Sequence, residues 1–84
     1  MIKIEYLPSF EKGFEKLPKF EQNRIRNEYV RLSLNPFPRN SKKLVKEKDI
    51  YRLRVGNYRI LYFFDKERKT IYLTHVAHRK DVYR

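Results

Sequence analysis

The spacing of apolar residues predicts one strand and two helices in the first half of the chain. Apolar and charged residues alternate from Ile2 to Tyr6, which indicates a half-buried strand. A first helix is expected to begin at Pro8 and to end at Pro18, and a second to continue as far as the sequence NPFP, residues 35–38. The apolar stripes at helical spacing are Phe10, Phe14 and Leu17 in the first helix and Ile25, Tyr29 and Leu32 in the second. Both stripes are interpreted as core.

The second half of the chain predicts strands joined by tight turns. The Gly56–Asn57 pair lies between apolar runs and predicts a hairpin over residues 51–64. Thr70–His78 is rich in β-branched and aromatic residues and predicts another strand. The lysine-rich residues 39–49 are expected to form a loop or a weak edge strand. This order predicts one α+β domain over residues 1–84, a small antiparallel β-sheet with an N-terminal helical hairpin packed on one face.

The predicted hairpin brings three arginines together. With the turn at residues 56–57, Arg54 lies opposite Arg59, and Arg52 lies two residues away on the same strand. Because side chains alternate between the faces of a strand, all three are expected on one face. Like charges opposite each other destabilise a sheet. Replacing Arg59 with alanine is therefore expected to remove repulsion and little of the core.

The net charge also indicates an anionic partner. The chain of 84 residues carries a formal net charge of +11, of which residues 1–44 hold +5 and residues 45–84 hold +6. The excess therefore belongs to the folded body and points to nucleic acid, an acidic protein or both. The lysines expected to add to a nucleic-acid-binding surface are Lys42, Lys43, Lys46 and Lys80.

Composition argues against several kinds of chemistry and location. The absence of cysteine excludes disulfides and thiolate metal sites and suits a reducing cytoplasm. Two glycines cannot form a glycine-rich phosphate loop, and His75 and His78 have no clustered carboxylates near them in sequence, so no metal or other cofactor is expected. Neither a signal peptide nor a membrane span is recognisable, so a cytoplasmic protein without membrane contact is expected.

The groups that remain are the three arginines together with His78, Arg79 and Tyr83. Guanidinium groups bind phosphate bidentately and stay charged, so a cluster of them can stabilise a phosphate that gains charge in a transition state. Tyr83 and His78 are the nearby side chains able to transfer a proton. Since RNA supplies its own nucleophile, the 2′-OH, this set fits a metal-independent ribonuclease. Spacing alone fits a phosphate-binding patch equally well.

Two segments resemble a family of toxins. The sequences IYRLRVGNYRILYFFD, residues 50–65, and THVAHRKDVYR, residues 74–84, closely resemble the RelE toxins of the RelE/ParE toxin–antitoxin superfamily. Residues 7–37 are similar to the helical hairpin of that family, so the resemblance covers nearly the whole chain. It implies a small antiparallel sheet with two helices on one face. It also implies cleavage of mRNA in the ribosomal A site by attack of the 2′-OH on the adjacent phosphate.

The resemblance implies roles for individual residues. The residues given catalytic roles are Arg52 and Arg54 as a basic pair, Arg59 at the scissile phosphate, Arg79 as a basic residue near the C-terminus, and Tyr83 in proton transfer and base stacking. The best-known members carry lysine in place of the first pair, and arginine cannot act as a general base. The base is therefore expected to be Tyr83, with His78 as the second candidate.

The resemblance also implies partners. These are an acidic RelB-like antitoxin, mRNA and ribosomal RNA in the A site, and operator DNA reached only through the antitoxin complex. Two alternatives share the scaffold: a ParE-like toxin that inhibits DNA gyrase without cleaving RNA, and a degenerate relative that binds only antitoxin and operator DNA. The terminal sequence HRKDVYR together with the three arginines favours the ribonuclease.

Overall fold

The computed structural model describes residues 1–44 and 48–82 of the chain, with side chains as far as Lys80. Within these residues the strands are β1 (Lys3–Tyr6), β2 (Ser41–Lys43), β3 (Ile50–Val55), β4 (Tyr58–Asp65) and β5 (Thr70–His78). The helices are α1 (Pro8–Glu15), α2 (Lys19–Val30), a 3-10 turn (Arg31–Ser33) and α3 (Arg79–Val82). None of the described helices has the length and apolar character needed to cross a membrane.

The strands form one sheet in the order β1-β5-β4-β3-β2. The predicted α+β class and helical hairpin are confirmed, and the segment expected to form a loop or a weak edge strand contributes β2. The sheet is mixed, because β1 pairs with β5 in parallel whereas the other pairs are antiparallel. A hairpin forces its strands to be antiparallel, but α1 and α2 separate β1 from the other strands and leave its direction to be set by packing.

The side chain of Gln22 connects the two helices of the hairpin. Pro8 occupies the first turn of α1, where a missing N–H costs nothing. Gln22 Nε2 donates hydrogen bonds to the carbonyl oxygens of Phe14 and Leu17, each at 3.1 Å. The last carbonyl groups of a helix have no partner within it. These bonds therefore satisfy the end of α1 and hold the start of α2 against it.

The core lies between the helices and one face of the sheet. The buried apolar residues of this core are Phe10, Ile25, Tyr29 and Leu32 from the helical part, and Leu53, Val55, Ile60, Tyr62, Phe64, Ile71, Leu73 and Val76 from the strands. Phe14 and Leu17 are partly buried against this cluster, so the predicted stripes are confirmed as core. Burial of each large apolar side chain contributes about 1.5–3 kcal/mol. The core therefore determines which face of each strand points inward.

Helix α1 approaches β5 closely at Gly13. A Cβ atom at this position would lie 2.6 Å from the carbonyl oxygen of Val76, closer than side chains approach a backbone oxygen. Ser9 Oγ makes a second contact by donating a hydrogen bond to the carbonyl oxygen of Thr74. Glycine at position 13 therefore allows the helix to lie directly on the strand.

Strand β5 contains a bulge that changes the face on which its later side chains lie. The register between β4 and β5 shifts at Thr74, which lies opposite no residue of β4 in the strand pairing. Leu73 and Val76 are both buried in the core, although they are three positions apart. His75 is exposed on the opposite face. Strict alternation along β5 would have put His75 on the same face as Leu73.

Candidate functional site

The sheet face opposite the helices carries the predicted arginines. Arg54 pairs with Arg59 and Arg52 pairs with Leu61, as the position of the turn predicts. Strand β2 adds Lys42 directly opposite Arg52. Alternation places these four basic side chains on one side of the sheet. We call this surface the arginine face and define it by Lys42, Arg52, Arg54 and Arg59.

The turn between β3 and β4 sets the register of this face and anchors α3. Gly56 has a φ of 60°, which the first central residue of a type II′ turn requires and glycine adopts without steric cost. The backbone N–H of Arg79 donates a hydrogen bond of 2.7 Å to the carbonyl oxygen of Asn57. Arg79 therefore lies at the same end of the sheet as Arg54 and Arg59.

Asn40 fixes the backbone of Arg54. Its Nδ2 atom donates hydrogen bonds to the Arg54 carbonyl oxygen at 2.8 Å and to Glu28 Oε1 at 3.2 Å. The Arg54 N–H donates in return to the Asn40 carbonyl oxygen at 2.9 Å. Asn40 thus ties β3 to α2. Sequence reasoning missed it because an asparagine in a polar segment gives no sign of such a distant contact.

Arg59 is enclosed although it carries a charge. Only 8% of its surface is exposed. Its Nη1 atom donates to the Tyr58 carbonyl oxygen at 3.3 Å, and its Nε is buried with no hydrogen-bond partner among the described residues. Within that same part of the chain, neither Arg54 nor Arg59 forms an ion pair. The expectation that Arg59 contributes little to the interior is therefore wrong, because alternation predicts the face of a side chain and not how deeply it is enclosed.

The other predicted basic residues are distributed around the sheet. Lys43 pairs with Tyr51 and so lies on the helix side of β2, away from the arginine face. Lys80 is exposed in α3. Two predicted site residues, Lys46 and Tyr83, lie outside the described residues.

The two histidines lie on opposite faces of the sheet. His78 pairs with Tyr58, and the two rings meet edge to face with their centroids 5.4 Å apart. This pair lies on the helix side, where His78 borders a cleft against α1 with Gly13. The structure therefore does not bring His78 together with the arginines. It brings His75 to the arginine face instead, and sequence reasoning gave His75 no role because alternation does not reveal a bulge.

Clear pKa shifts occur at two buried tyrosines and at Lys3. Burial raises the pKa of both Tyr29 and Tyr62 to about 12, and the Tyr62 hydroxyl donates a hydrogen bond of 2.7 Å to the Pro36 carbonyl oxygen. A hydrogen bond to Glu5 raises the pKa of the exposed Lys3. No group of three or more metal-binding side chains occurs in the described part of the chain.

The sequence matches one family model, that of the ParE toxin of the type II toxin–antitoxin system parDE, over residues 4–83. The match spans nearly the whole chain. The protein therefore belongs to the RelE/ParE superfamily of type II toxins. No curated protein sequence matches it.

Solved structures of RelE toxins share the fold across the chain. The archaeal RelE–RelB complex from Pyrococcus horikoshii has 26% identity and a TM-score of 0.83, with 96% of this chain and 98% of that chain covered. The RelBE2 complex from Mycobacterium tuberculosis has 30% identity, a TM-score of 0.72 and coverage of 93% and 98%. The isolated Escherichia coli RelE toxin has 20% identity, a TM-score of 0.82 and coverage of 99% and 92%. The chain is thus a type II toxin structurally close to RelE.

Proposed function

We propose that this toxin is a ribosome-dependent mRNA endoribonuclease and that the arginine face binds the scissile phosphate. The observation that carries the proposal is Arg59, whose buried Nε has no partner among the described residues. A buried charged group normally has a counter-ion or a hydrogen-bond partner. An RNA phosphate bound at this face would supply the counter-charge that the Arg59 guanidinium lacks among the described residues, with Arg52 and Arg54 beside it.

The chemistry needs only binding, charge stabilisation and proton transfer. The 2′-OH of the transcript attacks the adjacent phosphate, and guanidinium groups stabilise the charge that develops there. In this proposal Arg52, Arg54 and Arg59 surround the phosphate. Arg79 adds a positive charge from the start of α3, and Tyr83 takes part in proton transfer. The lysines proposed to contact mRNA or ribosomal RNA backbone are Lys42, Lys43, Lys46 and Lys80.

The proposed regulator is an acidic RelB-like antitoxin that covers the arginine face and lies across or displaces the segment bearing Arg79 and Tyr83. Support comes from the structural similarity to RelE–RelB complexes, including that of Methanococcus jannaschii with 27% identity, a TM-score of 0.78 and 94% coverage of each chain. Operator DNA would be bound only by the toxin–antitoxin complex. The proposed site of action is the cytoplasm, where translation takes place.

A cell-free translation reaction followed by mapping of mRNA 5′ ends tests this function. The purified toxin should arrest translation and leave mRNA cut within codons, only where ribosomes occupy it. The same mRNA without ribosomes is the control and should stay intact. Uncut mRNA in the translating reaction would contradict the proposal.

A second candidate function is inhibition of DNA gyrase without RNA cleavage. The observation in its favour is that the matching family model is that of the ParE toxin. Gyrase supercoiling should be measured in parallel with mRNA cleavage. Inhibited supercoiling with intact mRNA would assign the protein to this function, whereas cut mRNA with normal supercoiling would assign it to the first.

A further inference from the structure

The bulge at Thr74 places an imidazole beside the arginines. Pairing between β4 and β5 resumes after the bulge with His75 opposite Leu61. Arg52 lies opposite Leu61 on its other side. Arg52, Leu61 and His75 therefore form one row across the arginine face. Bulges re-aim side chains and are over-represented next to active sites.

Arg59 is a diagonal neighbour of this imidazole. It pairs with Ala77, which lies two residues beyond His75 on β5 and on the same face. Diagonal neighbours in a sheet are about 7–8 Å apart, within reach of aromatic and long side chains. A phosphate bound by the Arg59 guanidinium therefore lies within reach of the His75 ring.

A hydrogen bond determines which nitrogen of His75 carries the proton in the neutral ring. Thr74 Oγ1 donates its only proton to the Leu61 carbonyl oxygen at 3.0 Å. The same Oγ1 lies 3.2 Å from His75 Nδ1 and can only accept there, so Nδ1 is the donor. The Nε2 atom is then left with a free lone pair. Since His75 is exposed, this lone pair is accessible to a substrate.

We propose that His75 is the general base of the cleavage reaction, an inference that rests on the proposed ribonuclease function. Its Nε2 takes the proton of the 2′-OH while the 2′-oxygen forms a bond to phosphorus. The bond from phosphorus to the 5′-oxygen breaks, and that oxygen takes a proton from an acid, for which Tyr83 is the candidate. The products are a 2′,3′-cyclic phosphate and a 5′-hydroxyl, and proton exchange with water restores both side chains.

The pH dependence of cleavage reports on this base. The charged groups nearest His75 in the strand register are Arg52 on β3 and Arg59 on β4. Strand β1 brings Glu5 opposite Tyr72 on the same side of the sheet, and α3, which follows β5, carries Arg79 and Lys80. Helix α1 packs on the other face of β5, the one opposite His75. Histidine is the only side-chain type whose ordinary charge change falls between about pH 5 and 8. An acidic limb in the rate profile that disappears when His75 is replaced therefore distinguishes a base at His75 from a structural role.

The test is single-turnover cleavage of mRNA on stalled ribosomes, measured from about pH 5.5 to about 8.5. Glutamine can keep the hydrogen bond to Thr74 but cannot accept the proton. We expect His75→Gln to cleave about 10²- to 10⁴-fold more slowly and to lose the acidic limb. Added imidazole should restore part of the rate of His75→Ala. In nitrogen NMR spectra, wild-type His75 should show the Nδ1–H form, and Thr74→Val should lose this preference.

The outcomes separate this inference from the proposed function. Cleavage by the wild type with an unchanged rate and acidic limb in His75→Gln would overturn the inference and leave the ribonuclease function standing. If the acidic limb were lost in His78→Gln and kept in His75→Gln, the general base would be His78, and the inference for His75 would be overturned. Absence of cleavage by the wild type would overturn the proposed function itself, and the base assignment with it.

Discussion

Arg59 combines a charge with burial in a way that costs stability. Its exposed fraction is 8%, and its Nε has no hydrogen-bond partner among the described residues. A buried polar group left unpaired costs about 1–3 kcal/mol, and more when it is charged. Proteins keep such unfavourable groups mainly at functional sites. The cost at Arg59 is therefore consistent with a residue retained to bind an anion.

Replacing Arg59 with methionine separates binding from folding. Methionine is similar in length and needs no hydrogen-bond partner, so the free energy of unfolding should stay level or rise by about 1–3 kcal/mol. The rate of mRNA cleavage should fall by about 10²- to 10³-fold, as for loss of a transition-state hydrogen-bond donor. Urea unfolding and single-turnover cleavage measure the two effects.

Arg68→Met is the matched control for this change. The Arg68 side chain is 77% exposed, and its Nε lies 3.9 Å from Asp65 Oδ2. Its replacement should change the free energy of unfolding by less than about 0.5 kcal/mol and leave cleavage unaffected. A large loss of stability in Arg59→Met with normal cleavage would show that Arg59 is a structural residue.

Among the secondary-structure elements, β5 has the greatest influence on the site. Helix α1 packs on one face of β5 at Gly13, and β1 and β4 pair along its two edges. Its bulge at Thr74 keeps Val76 in the core while turning His75 to the arginine face. The packing of α1 and the composition of the candidate site thus depend on the same short stretch of strand.

Gly13→Ala tests the close approach of α1 to β5. Alanine favours a helix over glycine by about 1 kcal/mol, but its Cβ would lie 2.6 Å from a backbone oxygen that cannot move alone. Overpacking of this kind costs about 1–3 kcal/mol. The free energy of unfolding in urea should therefore fall. Lys12→Ala, on the exposed side of α1, is the control and should change it by less than about 0.5 kcal/mol. Stabilisation by Gly13→Ala would contradict the close contact between helix and strand.

Tyr62 on β4 predicts how stability depends on alkaline pH. Burial raises its pKa from 10.0 to about 12, so the unfolded chain loses the proton before the folded one does. The contribution of this tyrosine is present below about pH 10 and is lost as the pH rises towards about 12. The urea midpoint of the wild type should fall over this range, and the midpoint of Tyr62→Phe should fall less steeply. Tyr29, whose pKa is also raised to about 12, should sustain part of the fall in that variant. If the midpoints of the wild type and of Tyr62→Phe fell equally steeply with pH, Tyr62 would have the same pKa in the folded and the unfolded chain.

The parts of the fold that could be predicted have local causes. The turn at Gly56 fixed the pairing of Arg54 with Arg59, and Pro18 marked the boundary between two helical stripes. The parallel direction of β1, the bulge at Thr74 and the enclosure of Arg59 depend on contacts between residues far apart in the chain. Alternation predicts the face of a side chain, but it does not predict what surrounds it.

The arginine face carries four positive charges on neighbouring strands. The net charge is +11, and the ion pairs of Lys3, Arg31 and Arg68 involve none of the four residues that define the arginine face. Carboxylates of the helix side, such as Glu11 and Glu15, border an aromatic cleft instead. We expect an acidic partner to be drawn to the four basic residues of the arginine face, since fields of this kind steer diffusional encounter.

The association rate with an acidic antitoxin should fall steeply as salt is added, because screening weakens the steering. Stopped-flow measurements over a range of salt concentrations give the slope. Lys42→Gln removes a charge from the arginine face and should lower this slope, whereas Lys19→Gln, at the start of α2, should change it less. A rate independent of salt would show that net charge has no part in partner choice.

The proposed reaction depends on one oxygen atom of the substrate, the 2′-OH next to the scissile phosphate. Ribosomes stalled on two mRNAs, identical except for a single 2′-deoxy nucleotide at the mapped cut site, allow that atom to be removed without changing the protein. The toxin should cut the all-ribose mRNA to leave a 2′,3′-cyclic phosphate and a 5′-hydroxyl, and it should leave the substituted mRNA intact at that position. Equal cleavage of both mRNAs, or cleavage of neither, would contradict the assignment of the arginine face to phosphate binding in an RNA-cleaving site.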